Sequence, residues 1–242
     1  MKILVIDIGG HHLKVLASGQ TESRKTPSGP EMTPARMVEE VKALADGWEY
    51  EVVSIGYPGL AGDVGPKSEP GNLGEGWVGF NFAAAFGLPV KIINDAAMQA
   101  LGSYEGGRML FLGLGTGLGS ALISEHVIVP LELGRLPYRG GRATLGEVLG
   151  RRGLKRLGES EWKKRVKEVA TRLMEAFLAD YLVLGGGNAS HLKELPHGVR
   201  LGHNHTAFRG GFRLWGVDDV PVLDPDAHHH DPPAKPEEWR LI

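Results

Sequence analysis

The chain has 242 residues, 42% of them hydrophobic, and its 27 Lys and Arg against 29 Asp and Glu leave a net charge of -2. That balance excludes a strong global pull towards nucleic acid or an anionic membrane, while the apolar content is ample for one large domain or two modest ones. The absence of cysteine excludes disulfides, thiolate zinc sites and a cysteine nucleophile.

In chain order, residues 3–16 (ILVIDIGGHHLKVL) read as an apolar strand, a tight glycine turn and a second apolar strand, with a third short strand over 23–28. The opening apolar stretch is too short for a signal peptide and no later run reaches membrane-spanning length, so a cytoplasmic location is expected. Thr33 and Pro34 open a helix as N-cap and first helical residue, Met37, Val38, Val41, Leu44 and Ala45 follow the helical spacing, and Gly47 ends it. Residues 51–57 form a buried-type strand ending in Pro58-Gly59. The glycine- and proline-rich loop over 60–79, with Asn72-Leu73 and Trp77, is long enough to point to function. A short helix over 80–86 and a strand over 89–93 then deliver Asn94-Asp95 to a helix over 96–104.

The hairpin design recurs at 110–123 (LFLGLGTGLGSALI), in a second half that opens at Arg108 and has a third strand near 127–131 and a loop over 132–141. Helical segments follow over 145–157 and 161–179, the latter with Trp162, Val166, Val169, Ala170, Leu173 and Phe177 on one face. A strand over 181–184 ends in Gly185-Gly186-Gly187-Asn188, and beyond Gly216 the composition turns to proline, aspartate and histidine. Strand triplets alternating with helices, twice over, predict two α/β domains, 1–107 and 108–216, with a cleft between them and a mobile tail over 217–242.

Glycine turns of this kind let backbone N–H groups close on a ligand rich in acceptors, most commonly phosphate. Ordinary hairpin chemistry explains either copy taken alone. The first turn carries Asp7 ahead of Gly9 and Gly10, whereas the second has Gly113 in the acid's place and Thr116 between Gly115 and Gly117. One turn is thus suited to hold a metal through water and the other to bind phosphate oxygens. Asp95 lies where a strand ends and a helix begins, the usual ligand crevice of α/β sheets, and is equally placed to be the N-cap of that helix.

Taken in order, VIDIGG, GYPG followed by NL and GW, INDAAMQALG, FLGLGTGLGSALI, LELGRLPY and YLVLGGGNA resemble the ROK family of sugar kinases over almost the whole chain up to Trp215, most closely the polyphosphate-type glucokinases. The resemblance implies an actin-like, hexokinase-like (ribonuclease H-like) duplicated α/β fold. It implies Mg2+-dependent phosphoryl transfer from ATP or polyphosphate to the 6-hydroxyl of glucose, with small-molecule partners and, as in related kinases, a homodimer. It further implies Asp95 as the catalytic base, with Asn94, Glu132 and the loop around Gly59 on the sugar, and Asp7 anchoring Mg2+ through water. Gly9 and Gly10 would line the phosphates from one side and Gly115, Thr116 and Gly117 from the other. Gly186, Gly187 and Asn188 would open a nucleoside pocket, although a tight strand-to-helix turn explains those glycines equally well. Lys14 is either a further cation on the phosphate side or a solvated edge lysine.

Three site positions depart from the family pattern. Arg135 stands where relatives carry histidine, Gly146 where they carry a glutamate (with Glu147 shifted by one), and His11-His12 where the first glycine turn continues into threonine. Arginine fixes a charge where imidazole is uncharged, and would suit a sugar hydroxyl or an acceptor bearing carboxylate or phosphate. A kinase for another acceptor, or a catalytically silent sugar-binding regulator, therefore stands beside glucokinase. Arg151, Arg152, Lys155, Arg156, Lys163, Lys164, Arg165 and Lys167 form either a track for a polyanionic donor or a solvated helix face shared with Glu159, Glu161 and Glu168. No structural zinc is expected, since the family's site needs three cysteines. His203 and His205 read as turn residues, and the histidines at 228–230 as part of the exposed tail.

Overall fold

Strand β1 (Ile3–Ile8) turns Leu4, Ile6 and Ile8 to one core and Ile3 and Val5 to another, so that Asp7 continues the second set where the apolar residues run out. The computed structural model describes residues 1–62, 64–203, 205–218 and 239–242. β2 (His12–Ala17) returns antiparallel beside β1, and β3 (Arg24–Pro27) forms the edge. Helix α1 (Pro34–Leu44) begins on the expected cap, the Thr33 side chain accepting from the Arg36 N–H at 3.3 Å. β4 (Val52–Tyr57), a small hairpin of β5 (Ala61–Gly62) and β6 (Gly65–Pro66), α2 (Phe82–Phe86) and β7 (Val90–Asn94) complete the first layer. The five-stranded sheet has the order β3-β2-β1-β4-β7, with β1, β4 and β7 parallel. α1, α2 and the fully buried Trp77 cover its outer face.

After α3 (Asp95–Ser103), strands β8 (Arg108–Leu114), β9 (Leu118–Ser124) and β10 (Val127–Leu131) repeat the hairpin arrangement. A 3-10 turn at Leu133–Arg135 leads into a short hairpin, β11 (Pro137–Tyr138) and β12 (Ala143–Thr144), then α4 (Leu145–Leu149), α5 (Arg151–Leu157) and α6 (Glu159–Ala176). β13 (Tyr181–Gly185), β14 (Val199–Leu201), α7 (Thr206–Arg213) and β15 (Arg240–Leu241) follow. The second sheet runs β14-β13-β8-β9-β10-β15. In β8, Leu110, Leu112 and Leu114 join the outer core with α4 and α6, while Met109 and Phe111 face inward, which puts Gly113 at the position matching Asp7.

The middle layer is α3 and α7, packed together between the inner faces of both sheets. Their approach is close enough that a Cβ on Gly102 would lie 1.8 Å from the Thr206 carbonyl oxygen, and one on Gly210 1.8 Å from that of Met98. Ser54 of β4 donates to the Gly211 carbonyl at 2.6 Å and accepts from Trp215 Nε1 at 2.9 Å, tying α7 to the first sheet. Arg213, almost fully buried, donates to the carbonyls of Leu101 and Tyr104 and so closes the end of α3.

Several elements differ from the sequence reading. The single helix expected over 145–157 is broken at Gly150, where any Cβ would lie 2.6 Å from the carbonyl oxygens of both Gly146 and Thr116. The next helix starts two residues earlier than expected, after Gly158 at φ +75°, and stops at Ala176. β14 and α7 were not anticipated, because two adjacent glycines in α7 hide its helical signal. Of the tail expected over 217–242, residues 219–238, including the histidines at 228–230, lie outside the described residues. Arg240–Leu241 pair in parallel with β10, and Trp239 packs edge-on against Tyr104 at 5.6 Å, so this part of the tail belongs to the second sheet. No helix among the described residues is long and apolar enough to cross a membrane.

Candidate active site

The parallel strands β1, β4 and β7 end together at one rim of the first sheet, with Asp7 beside Gly56 and Tyr57 beside Asn94. Asn94 is the N-cap of α3: its Oδ1 accepts from Ala96 and Ala97 N–H at 3.0 and 3.1 Å, and its Nδ2 donates to the Gly59 carbonyl at 3.1 Å. The capping role weighed for Asp95 thus falls to its neighbour. Asp95 is the first helical residue, with one carboxylate oxygen on the Ala96 N–H at 2.8 Å. Burial in the cleft floor, and then the nearby Asp7 carboxylate, push Asp95 up to about 7, with Glu132 adding to the effect. Asp7 is also raised by burial, against the pull of Lys14, which faces it across the β1–β2 ladder. Lys14 is therefore partly buried beside the acid, not a freely solvated edge residue.

The donor groups of the two glycine turns divide into spent and open. The Gly9 N–H is committed to the His12 carbonyl at 3.0 Å and the Gly115 N–H to those of Gly113 and Gly117 at 3.1 and 3.2 Å. The N–H groups of Gly10, Thr116 and Gly117 have no partner among the described residues. Asn72 closes on Gly10, where a Cβ would lie 2.2 Å from its Nδ2 and the Asn72 side chain would have to swing away. The long loop, held by Glu69 on the N–H groups of Trp77 and Val78, accordingly brings Asn72 over the first turn. The second turn is fastened through the Gly115 carbonyl, which accepts from the Arg151 N–H at 2.9 Å and from Asn188 Nδ2 at 3.0 Å. Gly186, at φ +80°, has no room for a Cβ, which would lie 2.7 Å from the Leu114 carbonyl, whereas Gly187 is unencumbered. The two turns meet through side chains: Arg151 Nη1 lies 3.2 Å from His11 Nε2.

On the remaining side, Glu132 caps the 3-10 turn, Arg135 ends it, and the two form an ion pair at 3.2 Å. Glu147, one residue beyond the glutamate position of related kinases, is occupied otherwise. It completes a capping box with Thr144, whose N–H it binds at 2.9 Å and whose hydroxyl accepts its own N–H at 3.2 Å. Gly146 closes on the Gly134 carbonyl, 3.1 Å from where a Cβ would sit, so a larger residue there would press on the 3-10 turn.

Asp7, Asp95 and Glu132 are thus electrostatically linked, with the open donors of both turns nearby. Burial raises Asp7 despite Lys14, so a cation beside it would favour its ionised form, and a hard divalent cation suits a lone oxygen ligand when water and phosphate complete its shell. Among the described residues no group of three or more His, Cys, Asp or Glu forms a closed metal cage. The arrangement fits Mg2+ at Asp7 and gives Asp95 a proton affinity suited to general-base chemistry near neutral pH. Asn72, Arg151 and the α7 tie were not singled out as site residues from sequence. For Asn72 the Asn-Leu pair inside a long glycine-rich loop was the available signal. Arg151 was read only as one of a run of basic residues, because its partner His11 is 140 positions away.

No family model matches the chain. It is 26% identical over 202 residues to a protein named polyphosphate glucokinase from Mycobacterium tuberculosis (strain CDC 1551 / Oshkosh), covering 75% of this chain and 76% of that one. It is 28% identical over 201 residues to the polyphosphate glucokinase of Mycobacterium leprae (strain TN), covering 76% and 59%. Its fold matches the inorganic polyphosphate/ATP-glucomannokinase of Arthrobacter sp. strain KM with TM-score 0.72 at 24% identity, over 86% of this chain and 96% of that one. It also matches a ROK family glucokinase from Streptomyces griseus, solved with glucose and AMPPNP, with TM-score 0.64 at 17% identity over 87% and 97%. The fold is that of the ROK sugar kinases, as the ordered motifs led us to expect.

Proposed function

We infer that this chain, a relative of the polyphosphate glucokinases built on the ROK sugar-kinase fold, is a Mg2+-dependent hexose kinase that phosphorylates the 6-hydroxyl of glucose from polyphosphate or ATP. The observation that carries the reading is Asp95, held in the first turn of α3 by its Asn94 cap and pushed up to about 7 beside Asp7. Its carboxylate takes the proton of the sugar hydroxyl. The freed oxygen lone pair bonds to the terminal phosphorus, and the bond from phosphorus to the bridging oxygen breaks, leaving the donor one phosphate shorter with that electron pair. The open N–H groups of Gly10, Thr116 and Gly117 stabilise charge on the transferring group, and Lys14 offsets the acids of the floor. Mg2+ bound through water at Asp7 would neutralise phosphate charge when present. Asn72, the spare proton of Asn94 Nδ2 and Glu132 hold sugar hydroxyls, and Gly186 to Asn188 border the far end of a nucleotide donor.

Arg135 favours glucose over an acidic acceptor, because its guanidinium is already paired with Glu132. His11, in place of the usual threonine, lies against Arg151, whose guanidinium supplies the positive charge at the phosphates. A cytoplasmic setting, where sugar and donor meet, belongs to the same proposal. The test is product formation from glucose and Mg2+ with ATP and with polyphosphate, using Asp95→Asn as control. Turnover with either donor that falls by about three orders of magnitude or more in the variant supports the reading. A folded protein that turns over neither donor overturns it.

A further inference from the structure

Outside this cleft the molecule carries a concentrated positive surface that the phosphoryl-transfer chemistry does not use. Between the β11–β12 hairpin and helices α5 and α6 lies a cavity of about 230 Å3, walled by Tyr138, Arg139, Arg142, Arg156 and Arg165, with Val148 among its apolar residues. Arg139 pairs with Glu168 at 2.5 Å, and Arg165 donates to Glu161 at 2.8 Å and to the Tyr138 hydroxyl at 2.8 Å. Arg142 and Arg156 have no carboxylate partner among the described residues. Four guanidinium groups over two carboxylates leave an excess of positive charge in a partly enclosed space, and planar guanidinium forks match phosphate oxygens. Arg139 holds its place with φ at +31°, a left-handed backbone that a non-glycine residue adopts only at a cost.

The cavity is joined to the cleft by one helix. α5 begins at Arg151, which touches both the Gly115 carbonyl and His11, and carries Arg156 into the cavity wall, about 7–8 Å further along the axis at the α-helical rise. Arg152 and Lys155 are exposed between them. A ligand that follows this helix must be long, flexible and negatively charged at every step. We propose that the cavity binds the far phosphates of an inorganic polyphosphate chain whose terminal phosphate lies between the two glycine turns. The proposal rests on the phosphoryl-transfer reading of the cleft and goes beyond it in naming where the rest of the donor runs.

The test pairs kinetics with a binding measurement that needs no turnover. In the full chain, Arg142→Ala combined with Arg156→Ala raises KM for long-chain polyphosphate about tenfold at unchanged kcat, while KM for tripolyphosphate and for ATP stays put. The corresponding double lysine variant, which keeps both charges, recovers most of the affinity. KM values that move together for long and short donors, or do not move at all, overturn the proposal. Calorimetric titration of long-chain polyphosphate into Asp95→Asn protein, with and without the two alanine substitutions, reads the same loss of affinity. If no donor is turned over but this binding still depends on Arg142 and Arg156, the kinase reading fails and the subsite stands. If ATP is turned over and polyphosphate binding ignores the arginines, the subsite fails alone. Single-stranded DNA that competes as well as polyphosphate would also overturn the proposal, by showing a general polyanion surface.

Discussion

At the scale of single residues, Asp95 shows how the proton affinity of a carboxyl is set by its position. Its ordinary affinity for protons is raised because its half-buried place strips away part of its hydration and Asp7 stands beside it. In the proposed reaction the ionised form is the base, so kcat/KM should fall as pH drops through about 7, a limb that a pH–rate profile reads directly. The stability effect runs the other way. Because the folded state holds this proton more tightly than the unfolded chain, the stability associated with it is full below the unfolded carboxyl range and is lost as pH rises through about 7. Asp95→Asn, which keeps an oxygen for the Ala96 N–H, should therefore raise Tm by a few degrees at pH 8 while removing activity, and the gain should vanish near pH 4. Equal Tm shifts at both pH values would contradict this account.

At the scale of elements, two short contacts shape the cleft walls. The Thr144–Glu147 capping box fixes the start of α4, next to the 3-10 turn that carries Glu132. Glu147→Ala should cost about 1 kcal/mol by denaturant unfolding while leaving the KM for glucose unchanged, as befits a cap and not a sugar ligand. A rise of KM by an order of magnitude would return Glu147 to the sugar. The α3–α7 crossing is less forgiving, since a methyl group on Gly210 meets backbone, which cannot rotate away. Gly210→Ala should lower Tm by about 10 °C, or abolish folding, measured by thermal denaturation. α7 was illegible in the sequence for the same reason: glycines at 210 and 211 read as loop, and only the packing explains them. By contrast Thr33-Pro34 and the two glycine hairpins were legible, because caps and turns act over a few residues.

At the scale of the whole molecule, what could be read was whatever depends on local chemistry repeated in order. The duplication of the hairpins, the alternation that carries Asp7 and Gly113 inward, and the strand-to-helix step at Asn94-Asp95 follow from period and spacing. What could not be read depends on distant partners. His11 meets Arg151, Ser54 meets Gly211, and β15 joins β10 from the far end of the chain. None of these has a signature within its own stretch of sequence. Whether Asp95 was the cap or a free carboxyl was similarly open until the geometry showed that Asn94 is the side chain turned back onto the helix.

The place of α7 bears on how the protein is made. Ser54 leaves a ribosome 157 residues ahead of the Gly211 carbonyl it binds, and Ile3 and Val5 leave well ahead of the Phe208 and Phe212 rings that share their core. Until α7 is made, the inner face of the first sheet is covered by α3 alone, and such partly covered apolar surface is where a nascent chain is most exposed to misassembly. The two halves are written one after the other but finished at the same moment.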